Sequence, residues 1–538
     1  MPYKIVMVRN DPNYGKRRHK GLAAVHVLRS YLERHSALAS ELQVEIVELN
    51  SCWPQATELD TRWILSFEPD AVGLSCYCWN IGMQAGIASM LRRARPGIAI
   101  IAGGPEVSFD AEAFMAANPA VDYVVRGEGE VTFTELVDHL VSGKGRPAAI
   151  RSLNWRNGGT TCANPDRPLI EDLDTIPSPI LDQRVDLFAT DGEVMIETVR
   201  GCVYHCSFCL HNKGQTGMRV FSWPRVEAEV RALCEHPAVN VIWFADPTFD
   251  YDEARALRIL RLIEEANAGQ GVAFELRAEM LTPALIAQLA RLNVVDVGIG
   301  LQSINPIALS NVRRASNLES FRRNVSMLAE ALKDVGTRID LDVIYGLPGD
   351  CYAGYMDTID FALDLGGHVY YQPLRLLKGT NLAQRAETFG LEAAPSPPHN
   401  LERSLTFPHE DMIRAHHLNA GLDFLQCESM VVQEAIRELR DMARQASQKC
   451  SMATACEIVG RGLWASEARN LFRVANASPD DIPVHWRISE LATLLTGGRL
   501  DNILPIGPRH DLATRLRASM SLSDGCAPSS SGYFHAAL

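Results

Sequence analysis

Three cysteines lie close together near the middle of the chain, at Cys202, Cys206 and Cys209. Thiolates are soft ligands that favour iron–sulfur clusters or zinc, and a cubane cluster bound through cysteine usually takes four of them. Three cysteines leave one iron open to the amino and carboxylate groups of a small molecule. A zinc site completed by His205 is the alternative, but His205 adjoins Cys206, and this spacing suits a tetrahedral site poorly.

An apolar segment at residues 193–199 directly precedes the cysteines and begins a series of six predicted strands. The other five lie at residues 239–244, 273–277, 294–301, 338–345 and 368–374. Segments with helical periodicity, such as 254–266 and 318–332, separate them. Six successive strand–helix units predict an open, partial parallel barrel, whose active face is formed by the C-terminal ends of its strands. The cysteines follow the first of these ends.

The spacing Cys-x3-Cys-x2-Cys after the first strand of such a barrel resembles the radical S-adenosylmethionine superfamily, over residues 190–390. The resemblance implies that Cys202, Cys206 and Cys209 bind a [4Fe–4S] cluster that cleaves S-adenosylmethionine. It also implies that Phe208 lies against the adenine. Further S-adenosylmethionine contacts are expected at the strand ends, from Asp246, Glu275, Arg277, Gln302, Arg314 and Asp342.

The second and third strands carry three of these residues. Asp246 stands where relatives contact the methionine amino group, although the Gly-Gly-Glu form of some branches is missing here. Glu275 and Arg277 alternate along the third strand and therefore lie on one face.

The fourth and fifth strands carry the other three. By resemblance, Gln302 and Arg314 bind the methionine moiety, and Arg313 competes with Arg314 for this role. Asp342 is expected to bind the nucleoside.

Residues 1–140 also alternate short apolar strands with helical segments. Strands are predicted at residues 4–8, 44–49, 71–75, 98–102 and 123–125, and a helix at 22–35. This pattern predicts a parallel sheet covered on both faces, in which ligands bind beyond the carboxyl ends of the strands. Two turns follow such ends, Gly-Gly-Pro-Glu at 103–106 and Gly-Glu-Gly-Glu at 127–130, where glycine lets the backbone approach a ligand closely.

Together with the barrel, residues 1–140 resemble the cobalamin-binding domains of radical enzymes. The resemblance implies cobalamin contacts from Ser75, Trp79, Gly103, Gly104, Pro105, Glu106, Gly127, Glu128 and Gly129. The motif Asp-x-His-x-x-Gly, whose histidine ligates cobalt in many cobalamin proteins, is absent from the sequence, and His19, His26 and His35 lack a matching context. Cobalamin is therefore expected without a protein histidine on cobalt. Trp79 either covers the lower corrin face or packs in the core.

The remaining cysteines carry little chemical signal. The total of thirteen, with no secretion signal, indicates a reducing compartment, and we expect the cytoplasm. Cys76 and Cys78 are too few to close a second metal site, so we expect them to pack in the core. Packing or surface positions are expected for Cys52, Cys162, Cys234 and Cys351. No uninterrupted run of about 18 apolar residues predicts a membrane span.

The expected architecture is α/β with a helical C-terminal part. It comprises a doubly wound, Rossmann-like cobalamin-binding domain at 1–140, a linker with a small hairpin at 141–190, a partial (β/α)6 barrel at 191–394, and a mainly helical substrate-capping region at 395–538. The last residues, 521–538, are rich in Ser, Gly and Ala and are expected to be loose. The formal net charge of −13 argues against nucleic-acid binding, which needs a basic surface.

The two resemblances together imply a cobalamin-dependent radical methylase for a small molecule such as a natural product or lipid. A 5′-deoxyadenosyl radical is expected to take hydrogen from an unactivated carbon, which then receives a methyl group from methylcobalamin. Electrons are expected from an external flavodoxin- or ferredoxin-type donor. Tyr370, Tyr371 and Arg375, at the sixth strand end, are candidate substrate contacts that equally fit barrel packing.

Three other functions compete with methylation. One is a radical cobalamin enzyme that oxidises or cyclises its substrate without methyl transfer. Another is a methylthiotransferase, but its three N-terminal cluster cysteines and basic tail have no counterpart here. The third is a non-catalytic cobalamin module, which would have no need of the full set of barrel motifs.

Overall fold

The computed structural model describes residues 2–11, 24–49, 56–190, 192–211, 217–266 and 269–427, together with residues 453, 456 and 457. The predicted tail at 521–538, most of the predicted helical region after residue 394, and residues His19 and Cys52 lie outside the described residues. None of the helices in the described part has both the length and the apolar character that crossing a membrane requires.

The described residues form two large sheets, two short ladders and the helices around them. The strands are β1 (Tyr3–Asn10), β2 (Leu42–Leu49), β3 (Ala71–Ser75), β4 (Ala99–Gly103), β5 (Tyr123–Val125), β6 (Leu153–Asn157), β7 (Thr160–Ala163), β8 (Glu193–Ile196), β9 (Val199–Arg200), β10 (Arg219–Val220), β11 (Val241–Phe244), β12 (Gly271–Leu276), β13 (Val294–Gln302), β14 (Arg338–Tyr345), β15 (His368–Pro373), β16 (Glu392–Ala393) and β17 (Leu401–Arg403). The helices are α1 (Ala24–His35), α2 (Ala56–Ser66), α3 (Ile81–Ala94), α4 (Pro105–Ser108), α5 (Ala111–Ala117), α6 (Glu130–Ser142), α7 (Trp223–Glu235), α8 (Glu253–Ala266), α9 (Pro283–Leu289), α10 (Pro306–Asn311), α11 (Leu318–Leu332), α12 (Tyr352–Asp364), α13 (Asn381–Gln384) and α14 (His409–Cys427).

The first sheet runs in the order β2-β1-β3-β4-β5-β6-β7. Its first five strands pair in parallel. This is the doubly wound order in which a ligand binds where the strand order reverses, between β1 and β3. β6 and β7 add an antiparallel hairpin at the β5 edge. The predicted doubly wound fold is confirmed.

β1 shows why this sheet has continuous apolar strands. Ile5 and Met7 join one hydrophobic core with residues of α1 and α6, whereas Val6 and Val8 join a second core with residues of α2 and α3. Because both faces of the strand are buried, consecutive residues are all apolar rather than alternately polar.

The second sheet has the order β15-β14-β13-β12-β11-β8, and all its strands are parallel. Its edge strands β8 and β15 do not pair with each other, so the barrel is open, as predicted. Gln426 of α14 covers part of the β15 edge, because its amide accepts from Val369 N at 2.6 Å and donates to Val369 O at 3.1 Å. An edge strand that is covered in this way is protected from pairing with another chain.

Gly104 joins β4 to α4 in a conformation that favours glycine. Its φ is 115°, and a Cβ at this position would lie 2.5 Å from the carbonyl oxygen of Cys76. Cys76 N donates to Gly103 O at 2.7 Å, and Cys76 O accepts from Glu106 N at 3.3 Å. The close approach that requires glycine here is therefore to the loop after β3, and it ties the ends of β3 and β4 together.

Replacing Gly104 with Ala should lower the free energy of unfolding by about 2–4 kcal/mol, because the change combines a strained φ with overlap against the backbone. Denaturant titration measures this change. Gly82→Ala in α3 is the matched control, since nothing lies within 4 Å of its Cβ position, and it should be neutral or stabilising by up to about 1 kcal/mol. Equal unfolding midpoints for Gly104→Ala and the unsubstituted chain would contradict this account.

Candidate functional site

The loop that carries the three cysteines begins at β9 and returns to β10, which pair antiparallel at its base. Gly201 starts the loop with a φ of 93°, and a Cβ there would lie 2.9 Å from Gly217 O. Ser207, between the second and third cysteines, donates its N–H to Val312 O at 2.9 Å and accepts at its carbonyl from Leu382 N at 2.8 Å. The cysteine loop is therefore fixed both at its base and at its centre.

The three thiols lie within electrostatic reach of one another. Burial, together with the charges of Cys206 and Cys202, raises the pKa of Cys209 to about 11. The sulfurs of Cys202 and Cys209 each lie near the backbone N–H two residues further on, at 3.5 and 3.4 Å. Arg314 Nη1 lies 3.9 Å from Cys206 Sγ. These donors and this cation stabilise the thiolate form, which is the form that binds metal.

His205 and Cys206 differ in their exposure. His205 is exposed, whereas its neighbour Cys206 is buried. Within the described ranges, no group of three or more His, Cys, Asp and Glu side chains is arranged to hold one metal ion. That the three cysteines are the cluster ligands stays a prediction.

Arg314 connects the cysteine loop to the end of β13. Its Nη2 donates to Gly300 O, while its Nη1 faces Cys206. The Nε atom of the same guanidinium is buried and has no hydrogen-bond partner among the described residues. Gln302 Nε2 and Arg314 Nη2 both lie over Gly300, where a Cβ would approach them to 2.6 and 2.8 Å. Arg313 is exposed, so Arg314 is the arginine that reaches the cysteines.

A bulge aims Gln302 into this position. The register between β13 and β14 shifts between Gly300 and Gln302, and Gln302 has a φ of 68°. A bulge redirects a side chain at a strand end, and a left-handed conformation in a residue other than glycine costs about 1–3 kcal/mol. Strain of this kind is typical of functional positions.

The inner face of the barrel carries two of the predicted acidic contacts. Glu275 is paired with Gly298, and a Cβ on that glycine would collide with the Glu275 carboxylate. Two residues further along β13, Gly300 is paired with Asp342, which is paired with Tyr370. Directly paired residues point to the same face of a sheet. Glu275 and Asp342 therefore face the same interior as Arg314.

Tyr371 points the other way. Its hydroxyl donates to Asp423 of α14, its ring packs against the core between the barrel strands and helices, and burial raises its pKa. Adjacent residues on a strand point to opposite faces. The structure therefore corrects the candidate substrate contact at Tyr371 in favour of barrel packing, and Tyr370 is the residue of this pair on the inner face.

Arg277 supports the cysteine loop. Its guanidinium carbon lies 3.7 Å from the centroid of the Tyr204 ring, and its Nη2 donates to Ala315 O. Its backbone N–H lies 3.1 Å from both carboxylate oxygens of Asp250. Burial raises the pKa of Asp250 to about 7. The stacking on Tyr204 shows Arg277 positioning the loop, and its contact with S-adenosylmethionine stays a prediction.

Asp246 is fully buried and engaged within the protein. Its Oδ1 accepts from Thr198 N at 2.8 Å, its Oδ2 accepts from the Thr198 hydroxyl, and Arg255 Nη2 lies 3.6 Å away. The carboxylate thus ties the end of β11 to the turn between β8 and β9. Its contact with a methionine amino group stays a prediction, as does the adenine contact of Phe208, which is partly buried against the barrel core.

The glutamates of both glycine-rich turns reach toward the barrel and the segment after it. Glu106 Oε1 lies 2.9 Å from His399 Nε2 and 3.6 Å from Lys378 Nζ. Glu130 Oε1 lies 2.7 Å from Arg200 Nη2, and Glu128 contacts the same arginine. Sequence reasoning assigned Glu106 and Glu128 to cobalamin and missed these basic partners. The sequence offered one indication of such a partner, which is that the basic residue Arg200 lies two residues before Cys202.

Trp79 is not part of the core. It is 41% exposed and stacks on Tyr77, with ring centroids 4.5 Å apart and planes 13° from parallel. The core-packing alternative for Trp79 is therefore wrong, and its contact with the corrin stays a prediction. Nearby, Ser75 O accepts from Asn80 Nδ2 at 3.0 Å and from Gln84 Nε2 at 3.1 Å.

Charges of the barrel act on two residues of the loop after β3. Burial raises the pKa of Cys78, and the charge of Arg375, which follows β15, partly opposes this effect. Burial raises the pKa of Tyr77, and the carboxylate of Glu197, which follows β8, adds to that effect. Direct contacts between the two domains come from the glycine-rich turns, where Glu106 contacts His399 and Glu128 and Glu130 contact Arg200.

Two family models match the chain in these two regions. A B12-binding domain model matches residues 36–137, and a Radical SAM superfamily model matches residues 196–362. The chain therefore belongs to the radical S-adenosylmethionine enzymes that carry a B12-binding domain.

One curated relative and two solved structures give further comparisons. The cobalamin-dependent radical SAM methyltransferase TokK of Streptomyces tokunonensis is 27% identical over 359 residues, which are 61% of this chain and 50% of TokK. OxsB, solved with aqua-cobalamin and S-adenosylmethionine, has a TM-score of 0.63 at 15% identity. The match covers 97% of this chain and 79% of the OxsB chain. TsrM of Kitasatospora setae, solved with cobalamin and a [4Fe-4S] cluster, has a TM-score of 0.57 at 19% identity over 74% of this chain and 78% of its own.

The two structural likenesses concern the fold. The chain spans about half the length of the curated relatives that it matches.

Asp250 makes stability depend on pH in a defined direction. Its pKa is about 7 in the folded chain against an ordinary value of 3.8, so its contribution to stability is fully present below about pH 4 and is lost as the pH rises through about 7. Relative to Asp250→Asn, the unsubstituted chain should therefore lose up to about 4 kcal/mol of unfolding free energy over this range. Urea titrations of both proteins at several pH values measure the difference in unfolding free energy between them. A difference that does not change with pH would contradict the raised pKa of Asp250.

Proposed function

We propose that the chain is a cobalamin-dependent radical S-adenosylmethionine enzyme that methylates an unactivated carbon of a small molecule. The observation that carries this proposal is the set of contacts from the strand-end turns of the first sheet to the barrel region, with Glu128 and Glu130 on Arg200 and Glu106 on His399. In parallel sheets of both kinds, ligands bind at the carboxyl ends of the strands. A methyl donor on the first sheet and a radical source on the second would therefore reach the same substrate.

The residues of the barrel fit a cluster with bound S-adenosylmethionine. Cys202, Cys206 and Cys209 would hold the cluster. The buried Nε of Arg314, which has no partner within the described residues, is a donor suited to the carboxylate of S-adenosylmethionine, and the amide of Gln302 lies beside it. Asp342, on the same face, would accept hydrogen bonds from the nucleoside.

The first domain fits a ligand with polar groups at the β1/β3 switch point. Asn10 Oδ1 and Gln84 Oε1 are buried there and have no hydrogen-bond partner in the part of the chain that the structure describes. The exposed stack of Trp79 on Tyr77 follows β3 and would cover one corrin face without a histidine on cobalt. Once bound, S-adenosylmethionine on the cluster and methylcobalamin supply a 5′-deoxyadenosyl radical and a methyl group, respectively.

Arg375 stays the candidate substrate contact. Its Nη2 donates to Gln372 Oε1 at 2.7 Å, and its Nε donates to Asn400 Oδ1 at 3.2 Å. Both acceptors are neutral amides, and within the described residues no carboxylate forms an ion pair with Arg375. The similarity to a methyltransferase, TokK, supports methyl transfer over oxidation or cyclisation.

Anaerobically reconstituted protein should contain about four irons and one cobalt per chain. With a reductant and S-adenosylmethionine it should form 5′-deoxyadenosine and S-adenosylhomocysteine, and a converted substrate should gain the mass of a methyl group. Cys206→Ala should abolish 5′-deoxyadenosine formation because the cluster loses a ligand, while the cobalt content is retained. Liquid chromatography with mass spectrometry measures all three products.

Cys351→Ala is the matched control, since Cys351 is an exposed cysteine on the same barrel, and it should leave every product unchanged. Formation of 5′-deoxyadenosine by Cys206→Ala would reject the radical proposal. A product that loses hydrogen without gaining a methyl group would reject methylation and favour oxidation or cyclisation.

A further inference from the structure

Two arginines face each other at the base of the cysteine loop. Arg200 and Arg219 are directly paired in the short ladder of β9 and β10. Like charges in directly opposed positions of an antiparallel pair are destabilising. The two side chains are only 13% and 18% exposed, so salt screens their repulsion weakly. An anion that bridges the two arginines would therefore stabilise the ladder that closes the loop.

Glu128 supplies this anion from the first domain. Its two carboxylate oxygens lie 2.7 and 3.0 Å from Arg219 Nη2 and Nη1, a bidentate geometry that gives strong, directional pairing. Arg200 Nη1 lies 3.3 Å from Oε1 of the same carboxylate, and Ile170 N donates to Oε2 at 3.0 Å. Glu128 therefore bridges both arginines.

The charge of Glu128 is stabilised by these contacts. Burial on its own would raise the pKa of Glu128, but the hydrogen bonds from Arg219 and Ile170 and the charge of Arg200 together lower it below the ordinary value. The carboxylate is therefore ionised at neutral pH.

Two further carboxylates complete the surroundings of Arg200. Glu130 Oε1 lies 2.7 Å from Nη2, and Glu197 Oε2 lies 3.0 Å from Nε. Within the described ranges, Glu130 and Glu197 form ion pairs with Arg200 and not with Arg219. Glu128 is the one carboxylate there that pairs with both arginines. Glu128 is thus distinguished from its neighbours by holding the two strands of the ladder together.

We propose that Glu128 is a positioning residue that holds the base of the cysteine loop closed, so that the first domain controls how firmly the iron–sulfur cluster is retained. This inference rests on the proposed function, in which the loop holds the cluster. It gives the Gly-Glu-Gly-Glu turn a task in the radical half of the enzyme, in place of the corrin contact expected for Glu128.

Glu128→Gln tests the proposal, because it keeps the size of the side chain and removes the charge between the arginines. In the reconstituted full-length chain, iron should pass to a ferrous chelator at least about tenfold faster than in the unsubstituted chain, since a broken buried pair leaves uncompensated charge. The cobalt content should stay unchanged. Glu135→Gln, which removes the more exposed pair with Arg167 from helix α6, just after the turn that carries Glu128, is the matched control and should release iron at the normal rate.

Arg219→Gln separates positioning from general damage. It removes one of the two facing charges, so it should lower the need for Glu128, and the double variant Glu128→Gln/Arg219→Gln should release iron like Arg219→Gln alone. A structural defect unrelated to this repulsion would not be rescued. The two single variants and the double variant together also keep the test valid if Glu128→Gln folds poorly.

Normal iron retention in Glu128→Gln would overturn the inference. Loss of cobalt with normal iron retention would also overturn it and would return Glu128 to the cobalamin site. If the unsubstituted chain binds no iron at all, the proposed function fails, and the inference that rests on it fails for that distinct reason.

Discussion

Arg200 lies where the two domains meet, and its guanidinium contacts three carboxylates. Glu128 and Glu130 come from the first domain, and Glu197 comes from the end of β8. Charges that are largely removed from water depend on their partners, and loss of one partner of a buried pair costs about 3–5 kcal/mol. This interaction therefore fixes the docking of the two domains more firmly than surface contacts could. A second cross-domain contact, between Glu106 and His399, supports the same arrangement.

The docking has a chemical consequence. An open barrel leaves its strand ends uncovered along one side, and here the turns after β4 and β5 contact the barrel region through Glu106, Glu128 and Glu130. These contacts hold the strand-end turns of the first sheet beside the base of the cysteine loop. A substrate cavity between them would exclude water, which matters for radical chemistry, because the protein supplies orientation and surroundings while the cofactors supply reactivity.

Local patterns in the sequence predicted most of the fold. β3 and β5 have the predicted bounds, because short strands buried in a parallel sheet are mainly apolar and end at or just before a polar residue. β14 also has the predicted bounds, although Asp340 and Asp342 alternate with its apolar residues. The cysteine spacing and the Gly-Leu-Gln segment at the end of β13 likewise drew attention to the cysteines and Gln302, whose roles as ligands stay predictions. The sequence could not predict which of Arg313 and Arg314 reaches the cysteines, because this depends on the backbone conformation of the turn after α10.

Contacts between distant segments could not be predicted in the same way. Glu106, Glu128 and Asp246 have partners that only the docked tertiary structure brings near, so their glycine-rich or strand-end contexts suggested a ligand. Tyr371 shows the same limit on a smaller scale: it differs from Tyr370 by one position on β15, and this position decides whether the ring meets the interior or Asp423. The sequence could not decide whether Trp79 packs in the core or is exposed, because no local sequence pattern predicts the exposure of an aromatic side chain that follows a strand.

The central claim is that the cluster and the corrin share one site between the strand ends of the two sheets. Electron paramagnetic resonance of protein loaded with both cofactors tests it most directly, with the cluster reduced and the cobalt in its paramagnetic form. The account predicts magnetic interaction between the two centres, seen as line splitting or faster spin relaxation that is absent when either cofactor is omitted. Two independent spectra that simply add together would contradict it.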